Sequence, residues 1–221
     1  MVVIVDYGMG NLRSVEKALG RVGAEARVSG RPEDVAGAER LVVPGVGAFG
    51  DAMAALRDRG LVEPIGDFIA RGRPFLGICL GLQLLFDESE EVAEAPAEQA
   101  AGRAAGLPKG LGLLRGRVIR FGDAVLRRGL KIPHMGWNAV RAAGPSPLFA
   151  GLPGEGVYFY FAHSYYAAPA DRSVVAAETD YGGWFTSAVA AGNVLATQFH
   201  PEKSQAAGLR VLENFVSRTK P

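Results

Sequence analysis

The stretch Pro74-Phe75-Leu76-Gly77-Ile78-Cys79-Leu80-Gly81-Leu82-Gln83 carries the strongest structural signal in the chain. An apolar run of strand character reaches a glycine-x-cysteine-x-glycine step, and helix-forming residues follow. That spacing is the one a nucleophile elbow uses, with sulfur in place of the usual serine oxygen. A sharp strand-to-helix turn crowds the backbone on both sides of its tip, which calls for small residues at Gly77 and Gly81. The side chain at the tip is exposed, and the backbone N–H groups that follow favour a thiolate and a developing oxyanion. A lone cysteine in an apolar stretch is ordinarily inert and buried. The glycine bracket sets Cys79 apart.

The other end of the chain supplies what a thiol nucleophile lacks. Leu195-Ala196-Thr197-Gln198-Phe199-His200-Pro201-Glu202-Lys203-Ser204 is a β-like run ending at a histidine, with a carboxylate two residues on. A thiol needs a base to take its proton, and the base needs a third group to orient it. Residues two apart in an extended segment point to the same side. Cys79, His200 and Glu202 are therefore expected to form a catalytic triad.

Outward from the elbow, the first half reads as repeated β-α-β units. Val2 to Val5 is a continuous β-branched run, the pattern of a strand buried on both faces of a parallel sheet. A glycine-rich loop, Asp6 to Asn11, leads into a helix to Val22. Short strands follow at Ala26 to Val28 and Leu41 to Val43. Asp51 to Arg59 and Leu61 to Arg71 read as helices, and Phe75 to Ile78 is the nucleophile strand. Val92 to Pro108, rich in Ala, Glu and Gly, reads as a surface excursion. Beyond it come short β-like runs at Arg117 to Phe121, Trp137 to Val140, Val157 to Phe161, Val174 to Glu178, Phe185 to Ala190 and Val194 to Phe199, with turn residues between several. Leu209, Leu212 and Val216 suit a C-terminal helix. The expected fold is α/β: a doubly wound open sheet with a mostly parallel core and added mixed or antiparallel strands. Residues 1–221 form one domain.

Composition narrows the function. The formal net charge is +1, so no long-range attraction to nucleic acid or an anionic membrane is expected. One cysteine excludes an internal disulfide. The opening Met1-Val2-Val3-Ile4-Val5 has no basic leader, and the longest apolar stretch, Phe75 to Phe86, is too short to span a bilayer. A cytoplasmic location is the expectation. His134, His163 and His200 show no ligand spacing, so no metal is expected, and no other cofactor is implied.

Gly45-Val46-Gly47-Ala48-Phe49-Gly50 matches the dinucleotide fingerprint, but the acidic residue expected about 20 positions on is missing from a second strand end. An oxyanion-hole loop is the better physical reading; a plain tight turn stays open. The acidic run Asp87 to Glu91 reads as a solvated helix end or as a wall for a substrate ammonium group. Pro133 to Asn138 and Phe161 to Tyr166 gather aromatic and polar groups in short loops, as core packing or as a partner surface.

With these motifs in hand, the chain resembles the class I (triad-type) glutamine amidotransferases, through the elbow Gly77 to Gln83 and the terminal His200-Pro201-Glu202. Within the class it is similar to the glutaminase subunits of imidazole glycerol phosphate synthases. That closer likeness rests on Asp6-Tyr7-Gly8-Met9-Gly10-Asn11, Pro44 to Gly50, Pro133-His134-Met135-Gly136-Trp137-Asn138 and Gln198 to Ser204, and it covers essentially the whole chain. The excursion from Val92 is longer and more alanine-rich than the family usually carries.

The resemblance implies that Cys79 attacks the side-chain amide of glutamine. Leu80 and Gly45-Val46-Gly47 would supply oxyanion donors. Gln83 and Glu91 would hold the amino-acid end, with contacts from His163, Ser164 and Tyr165. Ammonia would pass to a (β/α)8-barrel cyclase, contacted near Asn11, Met135 and Trp137, which makes imidazole glycerol phosphate and an aminoimidazole carboxamide ribonucleotide. The competing readings are a stand-alone γ-glutamyl hydrolase, a glutaminase serving another synthase, a non-catalytic binding module and a nucleotide-binding protein.

Overall fold

The computed structural model describes residues 1–91 and 106–219. Most of the predicted excursion at 92–108 thus lies outside the described residues. The chain starts with β1 (Val2–Val5), α1 (Leu12–Arg21), β2 (Ala26–Ser29), α2 (Pro32–Gly37), β3 (Arg40–Gly45), α3 (Phe49–Asp58), α4 (Val62–Ala70), β4 (Phe75–Cys79) and α5 (Leu80–Gln83). It continues with β5 (Phe86–Ser89), β6 (Leu114–Arg120), α6 (Asp123–Arg127), β7 (His134–Ala142), β8 (Val157–His163) and β9 (Tyr165–Pro169). It closes with β10 (Val175–Asp180), β11 (Trp184–Ala191), β12 (Val194–Thr197) and α7 (Gln205–Arg218).

The main sheet runs β2-β1-β3-β4-β12-β11-β10-β7-β8. Its first five strands are parallel, and β12 through β8 are antiparallel. Alternation along the central strands divides the core. Val3, Val5, Leu41, Val43 and Phe75 pack on one face with α3 and α4, while Val2, Ile4, Val42, Leu76 and Ile78 pack on the other with α1 and α7. Burial on both faces explains why these strands read as unbroken apolar runs. Among the described residues, no helix is long and apolar enough to cross a membrane.

Several local expectations give way. The elbow helix α5 is only four residues long, and the acidic run after it starts within strand β5 of a second, three-stranded sheet, β5-β6-β9, and ends just beyond it. Its carboxylates cap neighbouring strands rather than a helix: Asp87 accepts from Gly116 N–H, Glu90 from Arg120 N–H, and Glu88 pairs with Lys109. The aromatic stretch at Pro133–Asn138 is mostly strand, since β7 starts at His134 and pairs with β8 from His134↔His163 onward. Phe161–Tyr166 is likewise the corner between β8 and β9, with Ser164 between the strands. Helix α2 and strand β9 carry too little periodic apolar signal to be read in advance.

The site sits where parallel strands end. Tyr7 follows β1, Gly45-Val46-Gly47 follows or ends β3, Cys79 ends β4, and His200 follows β12. The registers Gly45↔Cys79 and Thr197↔Ile78 align three of those ends. The carboxyl edge of an open α/β sheet is where such folds hold ligands.

Candidate active site

Cys79 has φ +54° and ψ −106°, a conformation non-glycine residues rarely adopt. Close packing imposes it. A Cβ on Gly77 would lie 2.6 Å from the Gly81 carbonyl oxygen, and one on Gly81 would overlap the carbonyl oxygen of Val43 in β3. Helix α5 thus starts wedged between two strands, with no room for side chains at either glycine. The nucleophile elbow expected from the glycine spacing is present, but the Cys79 side chain at its tip is buried rather than exposed.

His200 Nδ1 is 2.9 Å from Glu202 Oε1, and both side chains are buried. Strand alternation does not make this pair. β12 ends at Thr197, and Pro201–Lys203 forms a 3₁₀ turn that folds Glu202 back onto the ring. The proline sets that turn's first φ. Burial pushes the His200 imidazole down. The thiolate charge of Cys79, a hydrogen bond with its sulfur, and the bond and charge of Glu202 together outweigh burial and hold it up at about 10. The site therefore favours the imidazolium form of His200.

A cavity of about 300 Å³ opens over this pair. That is the lower end of the range for small-molecule sites. Its walls include Cys79, His200, Val46, Gly47, Leu80, Gln83, Glu91, His163, Ser164 and Tyr165, with Met135 among the lining residues. The expected nucleophile, base and glutamine-contacting residues thus share one chamber. Gly45 lies in β3 beside Cys79. Val46 is 43% exposed, and Gly47 has φ +103°. Glu91 accepts a 2.8 Å bond from Phe49 N–H. Its carboxyl is raised, mainly by burial and further by Asp51, against the opposing pull of that N–H.

Of Asn11, Met135 and Trp137, Met135 lines the cavity and the other two do not. Asn11 is exposed just before α1 and does not line the cavity. Met135 and Trp137 are exposed at alternate positions of β7, with exposed Tyr158 on the neighbouring β8. Together they give one edge of the sheet an aromatic and apolar face beside the cavity.

The sequence reading gave no part in the site to Tyr7, His134 or the pairing of His134 with His163. The Tyr7 hydroxyl, buried beneath the glycine loop, donates to the Pro44 carbonyl at 2.9 Å. Burial, and then the Cys79 charge, raises its phenol. His134 and His163 form a buried neutral chain. His163 Nδ1 lies 2.8 Å from the Tyr165 carbonyl and must donate there, so its Nε2 accepts from His134 Nδ1 at 3.1 Å. Asn138 Nδ2 then donates to His134 Nε2 at 3.3 Å. Burial lowers His134 to about 4. Burial, with the neighbouring His134, lowers His163 to about 3 despite the pull of the Tyr165 carbonyl. The aromatic clustering around both histidines signalled packing, but their pairing needed the β7–β8 register. Among the described residues no group of three or more His, Cys, Asp or Glu side chains could hold a metal ion.

The family model for glutamine amidotransferase class-I matches residues 3–219. A protein of Syntrophotalea carbinolica described as imidazole glycerol phosphate synthase subunit HisH is 55% identical over 97% of this chain and 98% of its own length. A subunit of the same description from Rhodopirellula baltica is 52% identical over 98% of this chain and 97% of its own. Among solved structures, PurLQS from Thermotoga maritima superposes with a TM-score of 0.72 at 20% identity, over 98% of this chain and 97% of that one. A glutamine amidotransferase crystal structure superposes with a TM-score of 0.70 at 23% identity, over 97% and 98%. These last two likenesses speak for the fold. The elbow, the charged pair behind it and the full-length relatives converge: the chain belongs to the class I glutamine amidotransferase family, within its branch of imidazole glycerol phosphate synthase HisH subunits.

Proposed function

We propose that this chain is the glutaminase subunit of an imidazole glycerol phosphate synthase, an enzyme of histidine biosynthesis. In this reading it hydrolyses glutamine to glutamate and ammonia through Cys79, His200 and Glu202. The observation that carries the reading is the strained, elbow-borne Cys79 beside a buried His200 that is held protonated and bonded to Glu202.

The thiolate of Cys79 attacks the side-chain amide carbon of glutamine. The oxygen gains negative charge and is held by the Leu80 N–H and by donors from Gly45-Val46-Gly47. His200 gives its proton to the departing nitrogen, the C–N bond breaks, and a γ-glutamyl thioester remains on sulfur. The neutral imidazole then takes a proton from water as that water attacks the thioester. Glutamate leaves and the thiolate–imidazolium pair is restored. Glu202 holds the ring in the productive orientation. Gln83, Glu91 and the His163-Ser164-Tyr165 corner hold the amino-acid end of the substrate. The carboxyl of Glu91 suits the substrate ammonium.

Ammonia is protonated in water near neutral pH, so it is best used by a partner that receives it directly. The partner in this reading is a (β/α)8-barrel cyclase that docks on Met135, Trp137 and Asn11. The exposed apolar edge beside the cavity supports that placement. Acid-quenched mass spectrometry during turnover tests the chemistry. A γ-glutamyl adduct on the peptide containing Cys79 is expected, and its absence from a turning-over enzyme would refute covalent catalysis.

A further inference from the structure

The nucleophile has a neighbour that the triad does not include. Gln198 lies one residue beyond the Thr197↔Ile78 pair, is fully buried, and has its Nε2 3.6 Å from the Cys79 sulfur. We infer that Gln198 is a further catalytic residue, an N–H donor that stabilises the Cys79 thiolate, and that Gln83 is the positioning residue that aims it.

The orientation of both amides follows from their partners. Gln83 Nε2 is 2.9 Å from the Tyr165 carbonyl oxygen, which can only accept. Reversing that amide would set two oxygens against each other. The nitrogen therefore faces Tyr165, and its second N–H donates to Gln198 Oε1 at 3.2 Å. That fixes the oxygen of Gln198 toward Gln83 and its nitrogen toward sulfur. Tyr165 is itself held by His163 Nδ1 on the same carbonyl. Among the described residues, the sulfur is the acceptor that Gln198 Nε2 meets, and full burial keeps water from replacing it.

Hydrogen bonds to charged groups are the strong ones, and this donor prefers the thiolate over the thiol. Gln198 does not line the cavity, so its effect falls on the nucleophile rather than on substrate binding. The inference rests on the glutaminase reading only for its effect on turnover. The alkylation test below is independent of substrate.

Alkylation of Cys79 by iodoacetamide reports thiolate directly. In the full-length chain, Gln198→Leu is expected to slow alkylation at pH 7 about tenfold. The rate should recover toward wild type at alkaline pH, where the thiol ionises without help. Gln198→Glu keeps the shape and the acceptor for Gln83 but turns a carboxylate oxygen toward sulfur. It is expected to slow alkylation at least as much, and to lower kcat for glutamine while leaving KM within about twofold. Melting temperatures identify any variant that has lost its fold. A purely structural Gln198 would leave both alkylation rates within twofold of wild type in folded protein, and that result overturns the inference. Failure of the wild type to release glutamate with its cyclase would instead overturn the glutaminase reading.

Discussion

Replacing Gly81 with alanine tests the elbow at its tightest point. The new Cβ would overlap the Val43 carbonyl oxygen and sit 2.9 Å from the Val43 carbonyl carbon. The two groups would have to part by about 1 Å or more to reach ordinary contact. Helix α5 has no slack on its other side, where a Gly77 Cβ position is 2.6 Å from the Gly81 carbonyl oxygen. The strain must therefore open β3 from β4 along Val43↔Gly77 and Gly45↔Cys79. Overpacking costs about 1–3 kcal/mol, and weakened ladder bonds left unpaired in the core add about 1–3 kcal/mol. A loss of about 3–5 kcal/mol is expected by urea unfolding. The same opening shifts the glycine loop relative to Cys79, so glutamate release should fall about 100-fold. Gly66→Ala is the control. Gly66 lies inside α4 with nothing within 4 Å of its built Cβ, so the change should stabilise by about 0.5–1 kcal/mol. Gly81→Ala within about 1 kcal/mol of wild type and near full activity would refute the close-packed elbow.

Four further outcomes follow from the same structure. Glu202→Gln keeps an acceptor oxygen for the ring but removes the carboxylate charge that helps hold His200 protonated, so the imidazole should titrate below its wild-type value and kcat should fall at least about 100-fold; a kcat within threefold of wild type would count against Glu202 as orienter. His134 and His163 are depressed to about 4 and about 3, so their contribution to stability is present above pH 6.5 and is lost as pH falls through those values, at up to about 1.4 kcal/mol per pH unit for each ring; urea midpoints between pH 7 and pH 4 check the slope, which should flatten in His134→Gln. Val46→Pro removes one N–H from the glycine loop and fixes φ, and is expected to abolish stimulation by the cyclase while leaving cyclase binding intact; stimulation surviving the change would count against the Val46 amide. Trp137→Ala truncates an exposed aromatic on the proposed docking edge and should weaken cyclase binding about 10-fold or more, read by titration calorimetry.

The sequence and structure agree where local chemistry is strong. The elbow was legible because two glycines bracketing a cysteine after an apolar run have few other uses. The parallel core was legible because strands buried on both faces read as unbroken apolar runs. The His200–Glu202 pair was found for a reason that proved wrong in detail. Strand alternation suggested it, whereas a proline-started 3₁₀ turn makes it. The acidic run was misplaced because charges on alternate sides of a short strand resemble a solvated helix end when only four residues are considered. Gln198 and the two histidines were not legible as a network. The His134–His163 and Gln198–Cys79 contacts join residues 29 and 119 positions apart, and only the sheet register brings them together.

Glutamate release from glutamine separates a partner-coupled glutaminase from a free-standing one. The purified chain is assayed alone, then with the barrel cyclase and its ribonucleotide ligand, then as Cys79→Ala in the same mixture. A partner-coupled glutaminase gives weak release alone, strong stimulation in the loaded pair, and none from Cys79→Ala. Brisk release by the isolated chain with no response to the cyclase would contradict it, and so would release that survives the loss of the Cys79 sulfur.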